Sequence, residues 1–270
     1  MGEIMRYLAI LLVGMTGLAA SCSDNKTDSG AKGIAGDIFV LRQLALEMLY
    51  KQEPQSDAEI ILSRVIARTE NLPNDKETER LLYRAIRRAD RANRFKIYKE
   101  SPLPKGWPSP SLPGLVRIKV YPPCRVAEVS KDNVKGNMFM TLFRHIKKSD
   151  IKMTAPVVMK YNLPITTSLK KDNMNEMEFL YRYPTQGEDG EFGSVKVYNQ
   201  APITVISVGF KGAYNEKNYN RSLDELRFWL RDNQGDWEIA GAPRVLGYNS
   251  PLMPSWMKYA EVQIPIKRKE

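Results

Sequence analysis

The sequence predicts an α+β protein: a small helical segment followed by a larger domain in which strands dominate. Three observations predict it. Residues 37–100 carry apolar side chains at helical spacing, with no run that alternates with period two. Residues 101–114 hold five prolines and two glycines, which exclude helix and mark a linker. From Leu115 onward alternating, β-branched runs take over, interrupted by two amphipathic stretches.

Composition narrows the chemistry before any element is placed. The 270 residues include 41 Lys and Arg against 31 Asp and Glu, a net charge of +10, and 43% are hydrophobic. That balance belongs to a folded chain and excludes a disordered or collagen-like one. Cys22, Cys124 and His145 are the whole supply of thiol and imidazole. A Cys/His zinc site needs about three or four such ligands and is nearly excluded, as is a disulfide scaffold. A Ser-His-Asp hydrolase would have to use His145 as its base. No Gly-rich phosphate loop or GxSxG motif occurs.

The first element is a targeting segment. After Arg6, residues 7–20 carry no charge and are followed by Ser21-Cys22-Ser23. This run is too short to span a bilayer but fits the apolar region of a signal peptide, residues 1–21. Ala19, Ala20 and Ser21 before Cys22 resemble a bacterial lipobox, which implies cleavage there and acylation of the Cys22 thiol. The alternative is ordinary secretory cleavage with Cys22 left free. Residues 22–36, polar and containing glycine, then read as a flexible tether. The protein is expected to be exported and held by lipid at a cell or outer membrane.

Three helices follow in 37–100. Ile38, Leu41, Ala45, Met48 and Leu49 share one face, Ile60, Ile61, Val65 and Ile66 a second, and Leu81, Leu82, Ala85, Ala89 and Ala92 a third. Ser56 and Glu59 resemble a capping box for the middle one. The third is strongly basic: Lys76 to Glu100 holds nine bases and four acids. The basic stretch 76–99 reads either as a solvated helix face or as a contact for anionic lipid head groups. No nucleic-acid motif accompanies it, and nucleic acid is not an expected partner.

Beyond the linker, Leu115–Tyr121 and Arg125–Ser130 read as strands, Met138–Lys148 as a helix, and Ile151–Tyr161 and Glu176–Tyr183 as strands. Ser194–Tyr198 and Ile203–Phe210 are strands, Leu223–Asp232 a helix, and Arg244–Tyr248 and Lys258–Ile266 closing strands. The order ββαββ therefore occurs twice. Lys119-Val120-Tyr121 before the first helix matches Lys196-Val197-Tyr198 before the second. Two similar halves predict a pseudo-symmetric, twisted antiparallel β-barrel with two flanking helices.

On a helical wheel at about 100° per residue, Leu142, Ile146, Phe139 and Phe143 form the buried stripe of 138–148. Met138 lies on one margin, with Thr141, His145 and Lys148 beyond it. A margin of this kind either lines a cleft for a flat apolar ligand bearing carboxylates, which Arg144, Lys148 and Lys152 would meet, or simply packs on the sheet. The strand 151–161 contains Pro156, which predicts an edge or a bulge. Cys124 follows Pro122-Pro123 in a turn, and a thiol–imidazole dyad with His145 is disfavoured.

At Ile151-Lys-Met-Thr-Ala-Pro-Val157 the chain resembles the SOUL heme-binding protein family. The resemblance continues in order through Tyr121-Pro-Pro, Phe139-x-x-Leu142-x-x-His145-Ile146, Glu178-Phe179, Tyr183-Pro184, Val208-Gly-Phe-Lys-Gly212 and Gly247-Tyr248-Asn249, and covers about residues 115–266 of the 115–270 domain. It implies a twisted barrel with two helices that binds heme or another tetrapyrrole in a shallow apolar cleft beside the first helix, without catalysis. Carried over by position, the contacts would be Met138, Leu142 and His145, with Arg144, Lys148 and Lys152 as propionate partners. The histidine-ligated animal member places its ligand immediately before the Tyr of its Tyr-x-Pro motif, where this chain has Val120. The resemblance therefore implies hydrophobic, charge-assisted binding rather than ligation by histidine. The competing expectation is an envelope scaffold or protein-interaction module with no bound cofactor.

Overall fold

A computed structural model describes residues 29–134 and 136–269, and side-chain surroundings from residue 37 onward. The segment read from sequence as a signal peptide, residues 1–21, and Cys22 lie outside the described residues. Among the described residues two compact units result: one from 29–53 with 59–87, the other from 54–58 with the residues from 88 onward. No helix among the described residues is long and apolar enough to cross a membrane.

Helices α1 (Ser29–Tyr50), most of α2 (Asp57–Thr69) and α3 (Lys76–Arg94) as far as residue 87 supply the first unit. Helix α1 begins earlier than the expected start at residue 37, so part of the stretch read as a tether is helical. Ile38, Val65 and Leu82, one from each helix, meet in its core with Leu41 and Ile66. The Asp75 carboxylate accepts from the Thr78 N–H at 2.8 Å and caps α3.

The second unit is built on one antiparallel sheet. Its strands are β1 (Val116–Tyr121), β2 (Cys124–Ser130), β3 (Val157–Lys160), β4 (Glu176–Leu180), β5 (Gly190–Phe192), β6 (Val195–Gln200), β7 (Ile203–Lys211), β8 (Trp237–Ile239), β9 (Arg244–Gly247) and β10 (Tyr259–Arg268). The ladder runs β1-β7-β10-β9-β3-β4-β2-β6-β5, with β8 added to the end of β10. The sheet is open: β1 and β5 stand at its two ends, and the closed barrel expected from sequence is not formed. Helices α4 (Met138–Lys148) and α5 (Glu216–Asp232) are the two amphipathic stretches.

Period-two alternation assigns each strand residue to a face. On β7 and β10, Ile206, Val208, Phe210, Ala260, Val262 and Ile264 pack with Leu223 and Leu226 of α5. On the other half, Ala127, Val129, Phe179 and Val197 pack with Leu142 and Ile146 of α4. Both helices therefore cover the same face. The intervening residues Val126, Val158, Leu180, Val205 and Leu246 point the opposite way.

That opposite face is covered by the segment expected to be a linker. Trp107 is buried with its ring 4.6 Å from that of Tyr121, and Leu103, Phe95 and Ile97 pack into the same cluster. Leu112 is buried as well. The Ala155 N–H donates to Pro102 O at 3.0 Å, and the Lys105 N–H to Arg182 O at 2.9 Å. Residues 95–112 thus form a strap, an extended cover fixed to the sheet. The prolines exclude helix, as expected, but the apolar residues between them make the segment part of the core.

Two lysines on the strap side of the sheet are paired with carboxylates. Lys119 on β1 meets Glu261 on β10 at 2.7 Å, and both are buried. Glu261 also accepts from the Ser111 N–H, the Tyr259 hydroxyl and the Ser207 hydroxyl, at 3.0, 2.9 and 3.0 Å. Burial pushes the Glu261 carboxyl up, but Lys119 and these donors outweigh it and hold it below the usual carboxylate range. Lys160 is ringed by Glu128, Glu178 and Glu176. Burial opposes its charge, and Glu178 and Glu128 overcome that opposition and raise its pKa.

Pro156 precedes β3 rather than interrupting it, in a cis bond to Ala155. Strand β3 is central, paired to β4 on one side and β9 on the other. The expectation of an edge is thereby corrected: the proline stands just before Val157, the first paired residue, and removes no ladder bond.

Candidate functional site

Where the two halves of the sheet meet, at β3 and β9, the helix-covered face is not closed. A cleft of about 1180 Å³ opens there. Its floor includes Val157 and Met159 of β3, Met177 of β4 and Gly247 of β9. A Cβ on Gly247 would lie 3.4 Å from the Tyr214 ring and 3.6 Å from the Met159 methyl, so glycine leaves this floor uncovered.

The wall on one side is α4, presenting Met138, Phe139 and Phe143. Phe139 and Phe143, one turn apart, lie nearly parallel at 6.3 Å, and Phe139 also meets Phe179 edge-on at 5.1 Å. The opposite wall is the start of α5 with Tyr214 and Tyr219. Tyr214 is fixed: its hydroxyl donates to Tyr259 O at 2.8 Å and accepts from the Asn249 N–H at 2.9 Å. Burial pushes its phenol up to about 12. Met138, Met153, Met159, Met174 and Met177 all line the cleft, an adaptable thioether surface that accommodates aromatic faces.

Both helices point their N-termini at this opening. Asn137 caps α4 by accepting from the Met140 N–H at 3.3 Å, and Asn215 caps α5 by accepting from the Asn218 N–H at 3.0 Å. Helix N-termini favour negative charge nearby. The rim adds Lys131, Lys171 and Lys258, balanced by Glu100, Asp172 and Glu216. The named rim charges therefore balance, three of each sign.

Of the residues singled out by sequence, Met138 lines the cleft. Leu142 is fully buried beneath α4 in the core. His145 lies outside the cleft lining: its Nε2 is 2.9 Å from the Tyr181 hydroxyl and its ring 5.3 Å from that of Phe192. Burial lowers the His145 pKa and pushes the Tyr181 phenol up to about 12. Arg144, Lys148 and Lys152 are exposed outside the lining. The cleft thus follows the Phe139/Phe143 side of the helix. The i, i+4 aromatic pair and the methionines spread over 138–177 were the available sequence signal.

Cys124 is buried on the strap side of β2, with its thiol pushed up to about 11 by burial, while His145 bonds on the helix side. The two do not meet. Among the described residues no group of His, Cys, Asp and Glu is arranged to hold a metal ion. The donor chemistry suits the apolar ring of a tetrapyrrole: aromatic faces, thioethers and a rim of lysines. For iron the lining offers thioether, phenol and rim carboxylate groups, without imidazole or thiolate.

Fold and site together define an α+β domain with an open apolar cleft. The family described as SOUL heme-binding protein matches residues 114–265, and the chain belongs to that family. No curated protein matches it. Among solved structures, the C-terminal domain of EcmrR is 18% identical, with 57% of this chain and 98% of that one covered and a TM-score of 0.40. EcmrR in a complex with DNA is 17% identical, covering 98% and 95%, with a TM-score of 0.44. A hydrolase from Listeria innocua is 7% identical, covering 62% and 94%, with a TM-score of 0.43. Such likenesses are too low to bear on function.

Proposed function

We propose that the protein binds heme or a related tetrapyrrole reversibly, without enzymatic turnover, in the cleft between α4 and α5. The observation that carries this reading is the open cleft of about 1180 Å³ walled by Phe139, Phe143 and methionines, in a chain of the SOUL family. Each 100 Å² of ring covered contributes about 2.5 kcal/mol, whereas an exposed rim contact contributes about 0.2–1 kcal/mol. Burial sets affinity, and Lys131, Lys171 and Lys258 set the direction of the propionates. Bound heme would supply the redox and ligand-binding chemistry of its iron.

The ladder order supports reading the domain as a duplicated ββαββ unit. Exchanging β1 with β6, β2 with β7, β3 with β9 and β4 with β10 reverses the order β1-β7-β10-β9-β3-β4-β2-β6. The cleft would then sit on the pseudo-twofold axis. The wider setting proposed is an exported lipoprotein acylated at Cys22, with the basic helix against lipid and nucleic acid absent from its partners.

Hemin titration of the full chain tests the binding. A saturable Soret shift is expected, lost in Gly247→Leu, whose side chain grows toward Tyr214 and Met159, while far-UV circular dichroism stays that of the wild type. No saturable shift in the wild type, or a shift matched by an unrelated basic protein, would overturn the proposal.

A further inference from the structure

Between β9 and β10 the chain forms a loop whose tip carries two apolar side chains in water. Leu252 is 94% exposed and Trp256 75% exposed. The loop is not slack. Met253 N–H donates to Ser250 O at 3.1 Å, Met257 N–H to Pro254 O at 2.9 Å, and Lys258 N–H to Ser255 O at 3.2 Å. The Lys258 ammonium donates to Pro251 O at 2.8 Å, and the Ser250 N–H to the Glu100 carboxylate at 2.6 Å. Two consecutive turns thus hold Leu252 and Trp256 outward.

Amphipathic and basic residues adjoin the base of this loop. The Asn249 side chain donates to Tyr98 O at 2.8 Å, which brings a second exposed aromatic residue beside the loop. The Gly212 N–H donates to Lys258 O at 3.0 Å, which sets Lys211 next to Lys258 at the loop base. The Glu100 carboxylate, also beside the loop, is engaged by the loop backbone. An apolar tip, amphipathic rings and ammonium groups behind them is the sequence of chemistries met on crossing from acyl chains to anionic head groups. A protein pocket shaped for the tip would have no need of the lysines at its base.

We infer that the β9–β10 loop inserts Leu252 and Trp256 into the interface of a bilayer containing anionic phospholipid. Ser250, Pro251 and Lys258 also line the cleft mouth, so insertion sets that mouth at the lipid surface. A sparingly soluble apolar ligand then passes between bilayer and cleft without crossing water. This contact is separate from any acyl group at Cys22, and it does not depend on which ligand the cleft takes.

The test uses the full chain with vesicles of phosphatidylcholine and phosphatidylglycerol, brominated or not on their acyl chains, and no tetrapyrrole. Fluorescence of the wild type is expected to be quenched by the brominated lipid more than that of Trp256→Phe, which retains Trp107, Trp229 and Trp237. Leu252→Ser is expected to raise the lipid concentration for half-quenching about tenfold. Equal quenching of wild type and Trp256→Phe overturns the inference even if the chain binds vesicles by its N-terminal segment. A blue shift of Trp256 on raising protein concentration without vesicles, with no lipid quenching, also overturns it and assigns the loop to a contact between copies.

Discussion

Replacing Trp107 by alanine tests whether the Pro-rich strap belongs to the folded domain. The indole is buried and lies against Tyr121 at 4.6 Å. An aromatic side chain buries about 150–250 Å², or about 4–6 kcal/mol of transfer free energy at ~25 cal/mol per Å². Partial collapse of the surroundings leaves an expected loss of about 3–5 kcal/mol for Trp107→Ala. Trp107→Phe keeps most of the apolar area and the edge-on contact and is expected to cost only about 1–2 kcal/mol. Urea unfolding of the full chain, followed by far-UV circular dichroism and extrapolated linearly to water, measures both. If both variants fall within about 0.5 kcal/mol of the wild type, the strap is a spacer and the reasoning fails.

Glu261→Gln leaves Lys119 buried without a counter-charge and is expected to cost about 3–5 kcal/mol near neutral pH. Because the folded Glu261 pKa is lowered, its stabilisation is complete above the unfolded value and lost as pH falls through the folded one; urea midpoints at neutral and acid pH should therefore converge between variant and wild type. Gly209→Ala places a methyl group on the Tyr259 phenol, which is held by Ser111 O and Glu261, and a loss above about 3 kcal/mol is expected by the same unfolding assay. His145→Ala should leave the hemin-bound spectrum unchanged. Since burial lowers the His145 pKa, wild-type stability declines as pH falls below about 6.5, and the variant should lack that part of the decline. Cys124, with its thiol at about 11, should resist iodoacetamide at pH 8, where about one molecule in a thousand is thiolate; peptide mass mapping that finds it alkylated as fast as a free cysteine would contradict its burial.

The α4 boundaries were legible because Asn137 caps its start and an unbroken apolar stripe runs to Ile146. The start of α5 was not, since Glu216 to Arg221 is polar apart from Tyr219 and shows no stripe until Leu223. Strands β5 and β8, of three residues each, are too short to reveal a period. Residues 151–156 alternate like a strand but run irregularly into the Ala155–Pro156 bond, so only 157–160 pair. Proline content told that 101–114 is not helical, yet whether Trp107 is packed depends on Tyr121 and Cys124 across the fold. The site was half legible for the same reason. A wheel finds both margins of α4, but which one borders open space depends on where β9 and the start of α5 lie, more than sixty residues away.

The Lys119–Glu261 pair has a consequence for strand β1, which ends the ladder and is paired on one side by β7. Sliding β1 by one position would turn Val120 or Ile118 toward the carboxylate and send the ammonium outward. A stranded carboxylate in that interior would cost several kcal/mol, so the misaligned arrangement is heavily penalised. A strand with a free flank is thus keyed into a single alignment by one lysine, and a neighbouring molecule that tried to continue the sheet by displacing it would have to extract that lysine first.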